Sequence, residues 1–432
     1  MSFRTALTGL NAATSDLAVV ANNIANNNTT GFKSSRAEFS DIFSTSSLGT
    51  ATRRTIGSGV QLAAVTQQFK QGNINGTGNP LDIAIDGEGF FKLTDQRGSV
   101  SYTRAGSFGI DRDGFVVSNI GQKLQAFPLD ANDQPFGSPT DLKLTTNDID
   151  PKATTKVEYG INLDAAATAI DASIFPFDPA NPSTYNYTTS LAVYDSLGAS
   201  HTLSVFFVKN PLASGATSSS WTVYGTLDGT DENLVHFGTA LTDPNASSLS
   251  FDDKGRLLSP LTPLDVTIDL QGVATAIGQP TSATQPLAMK LDFTAATQFG
   301  GQSSTNNLVQ DGYASGTLVG VNVADNGVMF GRYTNGQSKA LGQLALHHFR
   351  NQGGLAPVGD TAWAETFASG PAVAGVPGSA RLGLIRSGAL EGSNVELTEQ
   401  LVNMINAQRN FQANAQVIST SDSLTQTLLQ IR

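Results

Sequence analysis

The sequence contains no cysteine. That removes disulfides, thiolate metal sites and a cysteine nucleophile together, and it fits a secreted protein that manages without oxidative folding. Charge is also scarce, with 14% of residues Asp, Glu, Lys or Arg against roughly 25% in ordinary soluble domains. The balance is acidic, at a formal net charge of -11. The basic surface that phosphate contacts require is therefore missing, and no nucleic-acid partner is expected. No window approaches the roughly 18 uninterrupted apolar residues of a membrane span. The opening MSFRTALTGLNAATSDLAVVA lacks the apolar run of a cleaved signal peptide. If the protein leaves the cell, it is expected to do so without one.

Catalytic patterns are missing as well. The histidines are His201, His236, His347 and His348, and none has further ligands at metal-binding spacing. Asp111-Arg112-Asp113-Gly114 lacks the later acidic ligands of a calcium loop and reads as a hairpin turn. The glycine pairs Gly57/Gly59 and Gly76/Gly78 neither follow a strand nor open a helix, so they are not phosphate cradles. No nucleophile elbow is present, and the paired carboxylates Asp82 and Asp86 sit among turn signals. These absences point away from an enzyme: no catalytic residue, metal, cofactor or small-molecule substrate is expected.

What remains is pattern, and it differs between the ends and the middle. A chain of 432 residues calls for two to four domains. At the N-terminus Phe3, Leu7, Leu10, Thr14, Leu17, Ala21 and Ile24 recur in steps of four and three, the spacing of one helical seam. At the C-terminus Leu397, Leu401, Met404, Gln408, Phe411, Ala415 and Ile418 do the same. That seam then shifts to Ser421, Leu424, Leu428 and Ile431, as a stutter would produce. Ser393 or Asn394 is the expected N-cap, and Glu396 and Glu399 suit the positive helix end. Lying at opposite ends of the chain, the two seams are placed to pair with each other.

The other faces of these helices are unusual. Residues 397–432 hold ten Asn or Gln but only four charged residues, Glu399, Arg409, Asp422 and Arg432. A solvated helix normally shows Lys and Glu on its outer face. Amides there suggest a surface that meets other chains or a confined neutral space. Gln412, Gln416, Ser419, Ser423, Gln426 and Gln430 are candidates to line a channel: neutral, hydrated groups hold neither the apolar nor the charged parts of a passing chain.

Between the ends the period drops to two. LDIAID (81–86), FGIDRDGFVV (108–117), LAVYDSLGASHTLSVFFV (191–208), LSFDDKGRLL (249–258), VTIDL (266–270), LAMKLDF (287–293) and LVGVNV (318–323) read as strands and hairpins. Residues 165–190 and 271–286, rich in Ala, Pro, Ser and Thr, bracket a block that reads as an insertion. The expected fold class is multidomain: terminal α-helical coiled-coil segments plus antiparallel β domains, with a mainly β outer region.

One joint stands out. Directly after the first helix, ANNIANNNTTGFK (21–33) places Asn22, Asn23, Asn26, Asn27 and Asn28 ahead of Gly31 and Phe32. Asn weakens helix without adding charge or bulk, Thr29 and Thr30 favour extended backbone, and Gly31 tolerates positive φ. Phe32 is then expected to anchor the next segment by burial.

This stretch closely resembles the N-terminal motif of the bacterial flagellar axial proteins of rod, hook and hook–filament junction. GTGNPLDIAIDGEGFF (76–91) and YTRAGSFGIDRDGFVVSNIGQKLQAF (102–127) resemble the rod and hook branch, and SGALEGSNVELTEQLVNMINAQRNFQANAQVISTSDSLTQTLLQIR (387–432) resembles its C-terminal helix. VYDSLGASHTLSVFF (193–207), QDGYASGTLVGVNVADNGVMFGRYTNGQ (310–337) and the length are similar to the hook members. The resemblance covers about two thirds of the chain and is weakest at 130–190 and 210–285.

The resemblance implies a homopolymer: a curved tube acting as universal joint between rod and filament. In it 1–29 with 397–432 would form an inner coiled-coil domain, and 30–70 with 380–396 a linking segment. Residues 71–150 with 286–379 would form a β domain, and 151–285 an inserted outer β domain. It further implies contacts with rod, hook-cap and hook–filament junction proteins, unfolded passage through the flagellar type III export apparatus, and an extracellular location. A distal rod or other axial protein is the alternative within the family, and a secreted β-rich enzyme or adhesin the alternative outside it.

Overall fold

The computed structural model describes residues 2–42, 57–130, 132–144, 148–212 and 218–430. Its long helices are terminal: α1 covers Ser2–Ala25 and, after the short α2 at Leu270–Ile277, α3 covers Leu397–Gln430. The two terminal helices pack on each other. They enclose, in sequence, a series of mainly antiparallel sheets.

The chain divides into two compact units. The first comprises Met1–Thr146, Val319–Arg332 and Ser338–Arg432. Beyond the helices it is built on a 13-stranded sheet. Phe90–Thr94 is central to this sheet, pairing antiparallel with Val100–Thr103, Lys123–Phe127 and Leu346–His348. Ile83, Ile85, Phe91, Leu93, Leu124, Leu344 and Leu346 make its main core. Phe90, Tyr102, Phe349, Leu355 and Trp363 form a second, aromatic cluster, several of them in edge-to-face pairs, the geometry that ring quadrupoles favour. The alternation in LDIAID gives a strand at Ile83–Asp86, paired with Leu384–Ser387. Ala84 is buried there along with Ile83 and Ile85, so both faces are covered.

The second unit comprises Asn147–Leu318 and Tyr333–Gln337. It holds a five-stranded and a six-stranded sheet, whose residues Trp221, Phe207, Tyr159, Phe251 and Phe293 meet in one core. The hairpin read at Asp195–Gly198 is present, joining Tyr187–Tyr194 to Ser200–Lys209. The boundary suggested by composition at 285 does not coincide with the edge of this unit. Leu287–Asp292 and Thr297–Phe299 pair parallel with Lys156–Asp164, and Ser304–Gln310 pairs antiparallel with it. These pairings hold 286–318 in the second unit. The flank at 271–286 is also not simply linker, because its start is α2. The Asp269 carboxylate accepts from the Gln271 and Gly272 N–H groups at 3.1 and 3.0 Å, and Gly278 ends the helix at φ 71°. A two-ended cap makes an eight-residue helix tenable in Ala- and Thr-rich sequence.

Candidate functional site: the terminal helix pair and its joint

The most buried residues of the two terminal helices are alanines, a valine and amides. On α1 the buried positions are Ala6, Ala13 and Val20, seven residues apart, followed by Asn23. On α3 they are Gln400 and Ala407, with Met404, Asn414, Ala415 and Ile418 half-buried. Small residues let helix axes approach closely. At Gly9 a Cβ would lie 2.5 Å from the Asn414 Oδ1 atom, so a larger residue there would have to displace the Asn414 side chain.

The seams read from the sequence are therefore not the seam between these two helices. Leu10, Leu17, Ile24, Met404 and Ile418 lie half-buried at its margin. Phe3, Leu7, Leu397, Leu401, Phe411 and Leu424 point elsewhere and are between 38% and 62% exposed. The leucine spacing marks a second face on each helix, and the alanine spacing marks the face they share. The side chain of Leu428 lies outside the described residues. Of the amide face, Gln412, Gln416, Ser419, Ser423 and Gln426 are all exposed. Ser423 donates back to the Ser419 carbonyl at 3.0 Å and Gln426 to the Asp422 carboxylate at 3.2 Å. The side chain of Gln430 lies outside the described residues.

At the joint, the asparagines divide the work. Asn23 is buried and binds the Ser35 backbone on both sides, accepting from its N–H and donating to its carbonyl, each at 2.8 Å. It also donates to Gln400 on α3 at 3.2 Å. Asn26 closes the helix end: its N–H donates to the Asn22 and Asn23 carbonyls, and its carboxamide oxygen accepts from the Thr29 hydroxyl at 3.1 Å. Asn22 and Asn26, with Thr29, Thr30 and Phe32, line a recess of about 730 Å³. Asn27 is half-buried and Asn28 exposed. Gly31 takes φ +69°, and a Cβ there would stand 2.6 Å from the Ala105 nitrogen. Phe32 is only half-buried; the residue that anchors the segment is its neighbour Lys33, which is fully buried.

Lys33 belongs to a buried ionic cluster that sequence reasoning did not single out. Its Nζ lies 2.6 Å from Glu391 Oε1 and donates to the Lys70 carbonyl at 2.7 Å. The same carboxylate receives Arg104 Nη1 at 3.2 Å and the Gly72 N–H at 2.8 Å, and the Glu391 carbonyl accepts from Gly31. Arg104 also donates to the Gly87 carbonyl at 2.9 Å and lies over the Phe90 ring. Burial holds the Lys33 ammonium below its usual pKa; Glu391 opposes that shift and Arg104 adds to it. Three segments far apart in sequence, GFK, YTRAG and ALEGSNV, are tied here by one carboxylate. All three lay inside the stretches that carried the family resemblance.

The start of α3 is fixed by the same joint. Neither Ser393 nor Asn394 caps it. The first helical bond is from Gln400 N–H to the Glu396 carbonyl at 3.0 Å. The Asn394 side chain is engaged across the chain instead, accepting from Ser34 N–H at 2.7 Å and donating to the Gln68 and Lys70 carbonyls. Ser393 accepts from Val395 N–H. Among the described residues no cluster of His, Asp or Glu is arranged to hold a metal.

The two ends of this chain thus fold into one helix pair, locked to a β region and showing large apolar side chains outward. Matches to known families run along its length in order. Residues 3–33 match the flagella basal body rod protein model and 84–173 the flagellar hook protein FlgE/F/G D1 domain. Residues 162–313 match the flagellar basal body protein FlaE D2 domain, and 386–431 the flagellar basal body rod FlgEFG protein C-terminal model. The chain is 36% identical to the flagellar hook protein FlgE of Escherichia coli K12 and 38% to that of Salmonella typhimurium LT2, over 100% of both chains in each case. It is 33% identical to the hook protein FlgE of Treponema pallidum over 96% of each chain. The crystal structure of Helicobacter pylori flagellar hook protein FlgE2 shares the fold over 73% of this chain and 100% of its own, at TM-score 0.52 and 14% identity. The chain belongs to the flagellar hook protein family. It is a structural hook subunit and not an enzyme.

Proposed function

We propose that copies of this chain polymerise into a curved tube, the universal joint that carries torque from rod to filament, with the terminal helices of many copies as its inner layer. The observation that carries this is the inverted polarity of the helix pair. Ala6, Ala13 and Ala407 are buried within one copy while Phe3, Leu7, Leu397, Leu401, Phe411 and Leu424 are left open. Leaving that many large apolar groups in water is unfavourable by roughly 1.5–3 kcal/mol each relative to burial, so the pattern suits helices completed by neighbouring copies.

In this reading the joint of 30–70, of which 43–56 lie outside the described residues, and 380–396 links the inner layer to the first β region. Rod, hook-cap and hook–filament junction proteins are the neighbours at the ends of the tube, and subunits travel unfolded through the type III export apparatus. The exposed face of Gln412, Gln416, Ser419, Ser423 and Gln426 lines the central channel.

Full-length Leu401→Asp tests the helix faces. The β units should stay folded, and electron microscopy should show no tubes, because a buried unpaired charge costs several kcal/mol. Tubes of ordinary length would overturn the reading. For the lining, Gln416→Lys combined with Ser423→Lys should permit hooks but slow filament growth. Absence of hooks would assign these residues to the subunit interface, and normal filaments would remove the channel role.

A further inference from the structure

Among the described residues, Phe367 stands apart from every other aromatic. Its relative exposure is 106%, more than a phenylalanine shows in an extended chain. An exposed ring on a loose loop would need no explanation, since it could fold back onto the surface. This one is held out.

The turn that carries it is pinned on both sides. Before the ring, the Thr366 hydroxyl donates to the Gly354 carbonyl and accepts from the Ala368 and Ser369 N–H groups at 3.2 Å. After it, the buried Ser369 hydroxyl accepts from Thr366 N–H at 3.0 Å and donates to the Thr366 carbonyl at 2.8 Å. Asn351 adds a side-chain bond to the Ala368 carbonyl at 3.0 Å and a backbone bond to Ser369. The backbone entropy of this turn is already lost in the monomer. What a partner must still order is one ring with two torsions, which is the economy of a preorganised anchor.

We propose that Phe367 is an anchor through which one copy of this chain grips a second copy, separately from the terminal helices. The proposal rests on the homopolymer reading, which supplies a neighbour at a fixed position beside every subunit. A helical polymer is built from heterologous contacts, in which a projecting group on one copy meets a different surface on the next. A single rigid aromatic suits such a contact. A membrane surface would call for several apolar groups with Lys or Arg beside them, whereas the flanking residues are Glu365, Thr366, Ala368 and Ser369.

The test uses the full-length chain. Phe367→Ala should leave monomer thermal unfolding unchanged and raise the critical concentration for tube growth about 10- to 100-fold, the range that burying one phenylalanine ring gives. Phe367→Leu should restore most of the loss. A photoreactive benzophenone amino acid at position 367 in assembled tubes should cross-link one copy to the next. Tube growth of Phe367→Ala at the unaltered concentration, or cross-linking only to another protein, overturns the anchor and leaves the homopolymer reading intact. Failure of the unsubstituted chain to form tubes overturns both.

Discussion

Trp221, Phe207 and Tyr159 of the second unit are fully buried between two sheets, whereas Phe3, Leu7, Leu397 and Leu401 of the terminal helices are open. The two regions use apolar side chains for opposite ends. In the two-sheet unit the most deeply buried rings supply internal cohesion. In the helix pair the cohesion comes from alanines, a glycine and amides, and the large groups are kept for something else. At the joint of the first unit a charged cluster, rather than an apolar core, sets the geometry. Substitutions should therefore behave differently in the three places.

The largest effect is expected at the joint. Glu391→Ala leaves Lys33 and Arg104 buried beside each other with no counter-charge, a loss of about 5 kcal/mol. Amide exchange should show lost protection at 31–35, 70–72 and 391–395, with the second unit unaffected. Next is the two-sheet core. Trp221→Ala should cost that unit about 4 kcal/mol, visible as a lowered thermal transition, while exchange in α1 and α3 stays as it was. If the helices weakened equally, the contrast between regions would fail.

Acid provides a third comparison. His347 is buried against Tyr102, and desolvation, with Lys92 and His348 nearby, lowers its pKa from 6.5 to about 4. A group whose folded pKa is depressed binds its proton more readily when unfolded, so acid favours unfolding. The stabilisation is complete above about pH 6.5 and is lost as pH falls towards 4, about 3 kcal/mol in all. Denaturant titrations of the first unit at pH 7 and pH 4 should show this, and His347→Gln should flatten the difference. The smallest effect is expected on the open helix faces. Leu7→Ala or Leu397→Ala should change monomer stability by less than about 0.5 kcal/mol, while assembly falls. A monomer destabilised by 2 kcal/mol or more would mean that these leucines serve the folded chain after all.

The sequence by itself determined what depends on neighbours in the chain. Terminal helices, the Asp113-Gly114 and Asp195–Gly198 hairpins and the positive φ at Gly31 follow from spacing, turn chemistry and steric freedom, all of which act over a few residues. Tertiary structure decided the rest, because it concerns which of several compatible faces meets which partner. Both an alanine stripe and a leucine stripe run along α1 at heptad spacing, and periodicity cannot rank them; close approach at Gly9 and Asn414 selects the alanines. Asn394 had the chemistry of an N-cap, yet the Ser34 amide and the Lys70 carbonyl claimed its side chain. Glu391 lies 358 positions from Lys33, a separation across which no local rule operates, and only the folded chain brings that carboxylate to two cations and buries all three.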